Sequence, residues 1–214
     1  MNVHSQIRRP MNQGHPIPIA DQRTADILDS ARQVFSEKGF DGASMQDLAR
    51  KAGMSVGNFY RYFPSKAAIV SALIEQNLVE MEQDFAAILE EDDPLSAFRR
   101  KIIVRIRDAQ CRSEGQLWAE ITAASLRKPE IGAAACQMEN EIVNHLVRVF
   151  AHATQMPVAT ANTRWATHAR LMVMLVKSCA MQRPDLPDAP ALEDLVLRTI
   201  DRLLEDISLL AVKG

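Results

Sequence analysis

The sequence predicts an all-α protein of about nine helices, in which three N-terminal helices form a helix-turn-helix unit and the rest build a larger helical domain. Apolar residues recur three and four positions apart along most of the 214 residues, which is the spacing of one face of an α-helix. Proline and glycine separate these periodic segments, as they do at helix ends. No segment alternates apolar and polar residues as a half-buried strand does.

The composition is that of an ordinary globular protein. Hydrophobic residues make up 47% and charged residues 24%, and no uncharged apolar run reaches the length that spans a bilayer. The cysteines at positions 111, 136 and 179 are far apart, and no secretory signal precedes them. We therefore expect a soluble cytoplasmic protein with buried thiols and without a membrane partner.

Composition and charge divide the chain. We expect a flexible arm at residues 1–20, a helix-turn-helix domain at 21–66 and a helical domain at 67–214. Residues 1–66 carry a net charge of +3 and the remainder −5, so a basic head precedes an acidic body. Arg8 and Arg9 of the arm could enter a minor groove or could belong to a solvated tail.

A supporting helix is predicted from about Arg23 to Lys38. Glycine accepts the left-handed conformation in which many helices end, so Gly39 is expected to stop it. The buried stripe of this helix is predicted to be Ile27, Leu28, Ala31, Val34 and Phe35.

Two short helices around a tight turn are predicted next. Ser44 can cap the first of them, with Asp47 completing a capping box, and Gly53 can end it. Ser55 can cap the second helix. Such a pair is the minimum unit that reads a DNA major groove.

The second of these helices has a predicted inner and outer face. Phe59 and Phe63 fall on the inner face, while the residues between them are polar or aromatic. Pro64 ends the helix because it disfavours helical geometry in the preceding residue, and Ser65 can cap the next helix.

One run of residues identifies a family. The sequence GNFYRYFPSK at 57–66, preceded by DLA at 47–49 and by Gly53, resembles the DNA-binding domain of the TetR/AcrR family of bacterial transcriptional regulators. The match extends back to Phe35, so it covers roughly residues 22–68. Tyr62 stands where that family commonly has histidine.

The resemblance implies that the helix beginning after Ser55 enters the major groove of double-stranded DNA. Tyr60, Tyr62 and Lys66 would then contact phosphates, and the start of the helix would lie nearest the base edges. The implied DNA-binding residues are Ser44, Met45, Gln46, Ser55, Val56, Gly57, Asn58, Tyr60, Tyr62 and Lys66. The alternative is that both tyrosines pack against a neighbouring helix and that Lys66 is simply solvated.

Six further helices are predicted in the body. They run over about 65–91, 94–110, 116–127, 129–156, 159–181 and 191–211, and the segment from Cys111 to Gly115 is expected to separate two of them. The last helix has more apolar surface than one neighbour needs, which favours burial against a second copy.

The resemblance likewise places a homodimer interface in the last two helices. The interface residues predicted here are Met174, Leu192, Val196, Ile200, Leu203 and Ile207. A dimer would present two recognition helices about 34–36 Å apart, which suits a near-palindromic operator.

The body also has the composition of a ligand pocket inside a helical bundle. Residues predicted to line it are Phe85, Leu89, Ile103, Trp118, Ile121, Met138, Ile142 and Met172, each of which could equally be ordinary core. Glu120 could bind a cationic ligand, pair with an arginine or remain solvated. The resemblance implies that a small, apolar effector binds here and releases the DNA.

Two other classes of function are alternatives. Glu141 and His145 share a helix face, with His152 further on, but no HExxH motif and no phosphate-binding glycine loop accompanies them. We therefore expect no enzyme activity, metal or cofactor. A helical interaction module that has lost DNA binding is the second alternative, and within the regulator class an activator is an alternative to a repressor.

Overall fold

The computed structural model describes residues 19–107, 109–182 and 187–211, and in these residues the chain forms nine α-helices and no strand. The helices are α1 (Ile19–Gly42), α2 (Met45–Lys51), α3 (Val56–Tyr62), α4 (Lys66–Leu89), α5 (Pro94–Arg107), α6 (Ala109–Ser125), α7 (Pro129–Thr154), α8 (Val158–Ala180) and α9 (Ala189–Ala211). The predicted fold class is confirmed. Of the arm predicted at residues 1–20, residues 1–18 lie outside the described residues, and the last two begin α1.

Three serines cap the helices that they were predicted to cap. The Ser44 hydroxyl accepts the Asp47 N–H at 3.1 Å, and the Asp47 carboxylate accepts the Ser44 N–H at 3.1 Å, which completes the capping box. The Ser55 hydroxyl accepts a backbone N–H of α3, and the Ser65 hydroxyl accepts one of α4. These short-range hydrogen bonds set where α2, α3 and α4 begin.

Glycine interrupts α1 as predicted. Gly39 has φ 71° and ψ 166°, a left-handed conformation that side chains with a Cβ rarely adopt. Beyond this kink α1 ends in one short turn at Gly42. The segment from Gly39 to Ala43, which includes that turn, is called here the α1–α2 loop.

The predicted break at Cys111 to Gly115 is wrong, because α6 runs without interruption from Ala109 to Ser125. Gly115 lies against the end of α8, and a Cβ built on it would overlap the carbonyl oxygen of Ala180. The glycine therefore permits close approach of two helices and does not end one.

Two clusters of buried side chains form the core. The reader core joins α1–α3 to the first half of α4, to α6 and to the start of α7, and it includes Phe35, Phe59, Leu73, Leu117 and Met138. The bundle core joins the second half of α4 to α5, α7, α8 and α9. The reader core contains side chains from both sides of residue 66. The domain boundary predicted at that residue therefore remains a prediction.

Among the helices of the described ranges, none combines the length and the apolar character needed to cross a lipid bilayer.

Candidate nucleic-acid interface and ligand cavity

The outer face of α3 is open to solvent. Phe59 and Phe63 anchor the helix in the reader core with 1% and 7% of their surfaces exposed. Tyr60 and Tyr62 keep 47% and 38% of their surfaces exposed, as does Val56 with 37%. Two aromatic residues on a two-turn helix have no packing reason to stand in water, so this face is suited to contact a partner.

The other residues predicted to contact DNA fall around this face. Gly57 and Asn58 are exposed at the start of α3, and Gln46 is exposed on α2. Met45 is half-buried against the reader core. Ser44 and Ser55 are exposed, although both hydroxyls already serve as helix caps.

Asp47 organises the start of α2. Its carboxylate accepts hydrogen bonds from Lys38 at 2.7 Å, from the Ser44 hydroxyl at 2.7 Å and from Arg50 at 2.6 Å. The Lys38 hydrogen bond and those from Ser44 hold the pKa of Asp47 well below its usual range. The carboxylate therefore stays ionised where the helix N-terminus favours negative charge.

Lys66 has a different position from the one expected of a phosphate ligand. Its ammonium donates to the carbonyl oxygens of Phe40 at 2.6 Å, Ala43 at 2.8 Å and Asp41 at 3.3 Å, and it lies 4.7 Å from the centre of the Phe40 ring. Partial burial lowers the pKa of Lys66. This ammonium therefore holds the α1–α2 loop from inside, and its contact with a phosphate remains a prediction.

Residues from the body hold the same loop. Glu120 of α6 accepts the Phe40 N–H at 3.0 Å, and Arg127 donates to Asp41 at 2.8 Å. A Cβ on Gly39 would lie 2.9 Å from the Glu120 carboxylate, so the glycine is needed for this approach. Of the three expectations for Glu120, none describes its position, because its partner is a backbone N–H 80 residues away in sequence.

A cavity of about 340 Å³ lies where the reader core and the bundle core meet. Of the eight residues predicted to line it, five do: Phe85, Trp118, Met138, Ile142 and Met172. The other three do not. Leu89 packs against the bundle core, Ile121 is buried in the reader core, and Ile103 lies outside the lining.

Sequence reasoning missed the polar groups of this cavity. Asn77 lines it with 6% of its surface exposed, and charged side chains of α4, α5, α7 and α8 lie around it. A signal was present, because Asn77 sits four residues after Leu73 and four before Met81, on an otherwise apolar helix face. An amide at such a position is expensive to bury without a partner.

The predicted dimer residues divide into two groups. Val196, Ile200 and Ile207 are 7%, 1% and 0% exposed in the bundle core of the protomer, so they do not form an open surface. This corrects the prediction for those three residues. Leu203 is half-buried against the same core, and its place in the interface remains a prediction. Met174 and Leu192 are exposed, and the large apolar side chains exposed to solvent on the described parts of α8 and α9 are Val158, Leu171, Met174, Leu192, Leu195 and Leu209.

His145, one of the three residues from which a metal site could be imagined, packs against an aromatic ring. The His145 ring stacks on the Phe85 ring with centroids 5.0 Å apart, and burial lowers the pKa of His145. In the part of the chain that the structure describes, no three histidine, cysteine or acidic side chains are grouped to hold a metal ion.

Comparison with known proteins shows which family of sequences this chain resembles. Residues 27–73 match the family model described as bacterial regulatory proteins, tetR family. The chain is 38% identical over 104 residues to the HTH-type transcriptional regulator EthR of Mycolicibacterium smegmatis, which is 48% of each chain. It is 28% identical over 151 residues to UidR of Escherichia coli, which is 70% of this chain and 75% of that one. The match thus spans about half the length of EthR.

Solved structures share the fold. Salmonella enterica GusR superposes with a TM-score of 0.71 at 22% identity, covering 89% of this chain and 100% of that one. FadR from Bacillus subtilis, solved in complex with stearoyl-CoA, superposes with a TM-score of 0.63 at 19% identity, covering 82% and 96%. At these identities the likeness is one of architecture.

Proposed function

Since the chain belongs to the TetR family of bacterial transcriptional regulators, we propose that it is a homodimeric repressor that binds a palindromic operator. A small effector with an apolar body would fill the cavity and thereby release the protein from the operator. The family is one of DNA-binding regulators and not of enzymes. The observation that carries the proposal is the open face of α3, where Tyr60 and Tyr62 stand in solvent on a helix that Phe59 and Phe63 anchor.

A change of Tyr60 to alanine tests the DNA-reading face. The exposed hydroxyl is proposed to donate to a phosphate, and a hydrogen bond to a charged group contributes about 1.5–3 kcal/mol. We expect Tyr60→Ala to lower specific affinity by roughly tenfold or more per recognition helix, with an unchanged melting temperature. Gel retardation of the DNA upstream of the gene, against scrambled DNA at about 150 mM salt, measures this.

Val79→Ala is the matched control, because Val79 is 52% exposed on α4 outside the proposed interface. It should bind as the wild type does. Wild-type affinity in Tyr60→Ala would show that this face does not read DNA. Equal binding of the wild-type protein to every fragment of a genomic pool would remove the regulator proposal altogether.

Dimerisation through α8 and α9 is the second part of the proposal. Met174 is 60% exposed and Leu195 is 52% exposed, and Leu171 and Leu192 extend the apolar surface on the same two helices. Two copies that pair these helices about a two-fold axis would bury this surface in a four-helix contact. The pairing would also set the spacing of the two α3 helices on DNA.

The double variant Met174→Glu/Leu195→Glu is expected to be a monomer. Each carboxylate would have to leave water at the centre of the contact, which costs several kcal/mol when it has no partner. Sedimentation velocity at micromolar concentration would show the change in mass, and operator affinity would fall with it. Val79→Glu, an equally exposed site on α4, should remain a dimer; a dimeric double variant would place the interface elsewhere.

The walls of the cavity reach the DNA-reading unit through two helices. Trp118 of α6 lines the cavity, and Glu120, two residues on, holds the Phe40 N–H. Met81 of α4 also lines the cavity, and Lys66 at the start of that helix holds the same loop. A ligand that shifts α4 or α6 would therefore move the α1–α2 loop and with it α2 and α3. Typical coupling of about 1–3 kcal/mol would change DNA affinity roughly 5- to 150-fold.

A further inference from the structure

The polar groups of the cavity gather at one end. A short turn joins α4 to α5, and Asp84 of α4 accepts a hydrogen bond from Lys101 of α5 at 2.6 Å, so the two helices run antiparallel past this ion pair. Asn77 lies seven residues before Asp84, and Arg105 lies four residues after Lys101. Both therefore lie on the same side of the ion pair, roughly 10 and 6 Å along the helices. Phe85, Ile88 and the end of α4 lie on the other side.

Asn77 is a buried amide that faces the cavity. It is 6% exposed and lines the cavity, and no hydrogen bond among the described residues involves its side chain. Its amide is open to the cavity, and covering an amide with a ligand that offers no partner is costly. The cavity therefore contains one donor and acceptor group that a bound molecule would complete.

The residues that line the cavity include three basic and two acidic side chains, so one basic side chain has no acidic partner among them. Lys101 pairs with Asp84, and Lys177 pairs with Glu139, each at 2.6 Å. Arg105 is the remaining charged residue of the lining, and within the described ranges it has neither an ion pair nor a hydrogen bond. The lining thus has a net charge of +1, and its excess cation is at the end where Asn77 lies.

We propose that the ligand of this cavity is an apolar carboxylic acid, bound as its carboxylate. The carboxylate would accept hydrogen bonds from the Asn77 amide and the Arg105 guanidinium, whose planar fork matches it. The apolar body would lie along Phe85, Ile88 and Phe98 at the other end. The inference rests on the proposed function for its regulatory meaning, and it narrows the effector to an anion with an apolar body.

The alternatives fit the lining less well. A hydrocarbon or other fully apolar molecule would displace water from Asn77 and Arg105 without forming a hydrogen bond to either. Binding would then include the desolvation cost of both groups with nothing to offset it. A cationic ligand would bring a like charge to Arg105, and both acidic groups of the lining are already engaged by lysines. Only an acceptor with negative charge satisfies both residues.

Calorimetric titration of the purified, DNA-free protein tests the proposal. The probes are two matched sets that differ only in the head group: decanoate, decanol and decylamine, and 2-naphthoate, 2-naphthalenemethanol and 2-naphthylmethylamine. Two skeletons are used so that the shape of the apolar body does not hide the head-group preference. We expect the acid of at least one set to bind at least tenfold more tightly than its alcohol, and the amine to bind most weakly.

Variants assign the preference to the named residues. Arg105→Gln and Asn77→Leu should each reduce the advantage of acid over alcohol by about tenfold, while alcohol affinity stays within a few-fold of the wild type. Arg100→Gln is the control, since Arg100 is exposed on the same helix and pairs with Glu91 at 3.3 Å outside the cavity. Thermal melting without ligand confirms that each variant is folded.

The outcomes separate this proposal from the regulatory one. Equal or tighter binding of the alcohol or amine in both sets, an acid preference that survives in Arg105→Gln, or no binding of any probe would each overturn the carboxylate proposal. Operator release is measured separately by adding the tightest acid to the protein–DNA complex. An acid that binds with the expected preference and leaves the operator bound would support the ligand chemistry and count against the proposed release mechanism.

Discussion

Replacing Gly115 by alanine is expected to cost a large part of the stability of the fold. The added Cβ would overlap the carbonyl oxygen of Ala180, so α6 and α8 would have to separate along their contact. Overpacking a core by one methyl group typically costs about 1–3 kcal/mol, and here the obstacle is backbone that cannot rotate away. We expect a loss of about 3 kcal/mol or more from a total stability of about 5–15 kcal/mol.

Urea unfolding followed by circular dichroism measures this loss, and Gly57→Ala is its control. Gly57 lies in a helix with nothing within 4 Å of the Cβ position, so alanine there should leave stability unchanged or raise it by up to about 1 kcal/mol. A Gly115→Ala protein that unfolds within 1 kcal/mol of the wild type would mean that α6 and α8 are further apart than described. A larger separation of these two helices would also change the shape of the cavity, because Trp118 of α6 and Ala180 of α8 both line it.

Replacing Lys66 by methionine is expected to weaken both the fold and DNA binding. The ammonium satisfies the carbonyl oxygens of Phe40 and Ala43, two residues that are 3% and 2% exposed. Each buried acceptor left without a partner costs about 1–3 kcal/mol, so we expect a total loss of about 2–6 kcal/mol for the two. The α1–α2 loop would then no longer hold α2 at its present angle to α3, and operator affinity would fall although α3 itself is unchanged.

The salt dependence of binding separates this role from a phosphate contact. A lysine that neutralises a phosphate contributes about 0.9 to the slope of log affinity against log salt concentration, and its removal lowers the slope by that amount. If Lys66 acts by holding the loop, Lys66→Met should reduce affinity and melting temperature while it leaves the slope unchanged. Lys51→Met, an exposed lysine of α2 whose nearest acid is 3.8 Å away, should leave melting temperature unchanged. A reduced slope with wild-type stability would restore the phosphate contact.

Local features of the chain were readable because their causes lie within a few residues. The caps at Ser44, Ser55 and Ser65, the left-handed turn at Gly39 and the inward pair Phe59 and Phe63 depend on hydrogen bonds and periodicity over one or two helical turns. The same range explains why the family was recognisable, since its run of residues spans one helix and its flanks. Five of eight cavity residues followed from composition and helix periodicity alone.

Features that depend on which helices meet were not readable. A glycine within an apolar segment can end a helix or admit a neighbour, and only the approach of α8 shows that Gly115 admits one. The last helix has apolar residues around much of its circumference, so periodicity did not show that Val196, Ile200 and Ile207 face the protomer's own core. Both errors have one cause. A sequence pattern predicts that a helix face is buried, but it does not show which other element packs against that face.

By itself the sequence determined an all-α chain, its capped helix-turn-helix and the family to which that unit belongs. These features depend on the spacing of residues within one or two helical turns. The tertiary structure alone decided what surrounds Lys66, Glu120, Asn77 and Arg105. Their partners are backbone carbonyls, a backbone N–H or the walls of a cavity, contributed by helices far apart in the chain. A charge or an amide acquires its role from the groups that replace its water, and those groups are known only once the helices have packed.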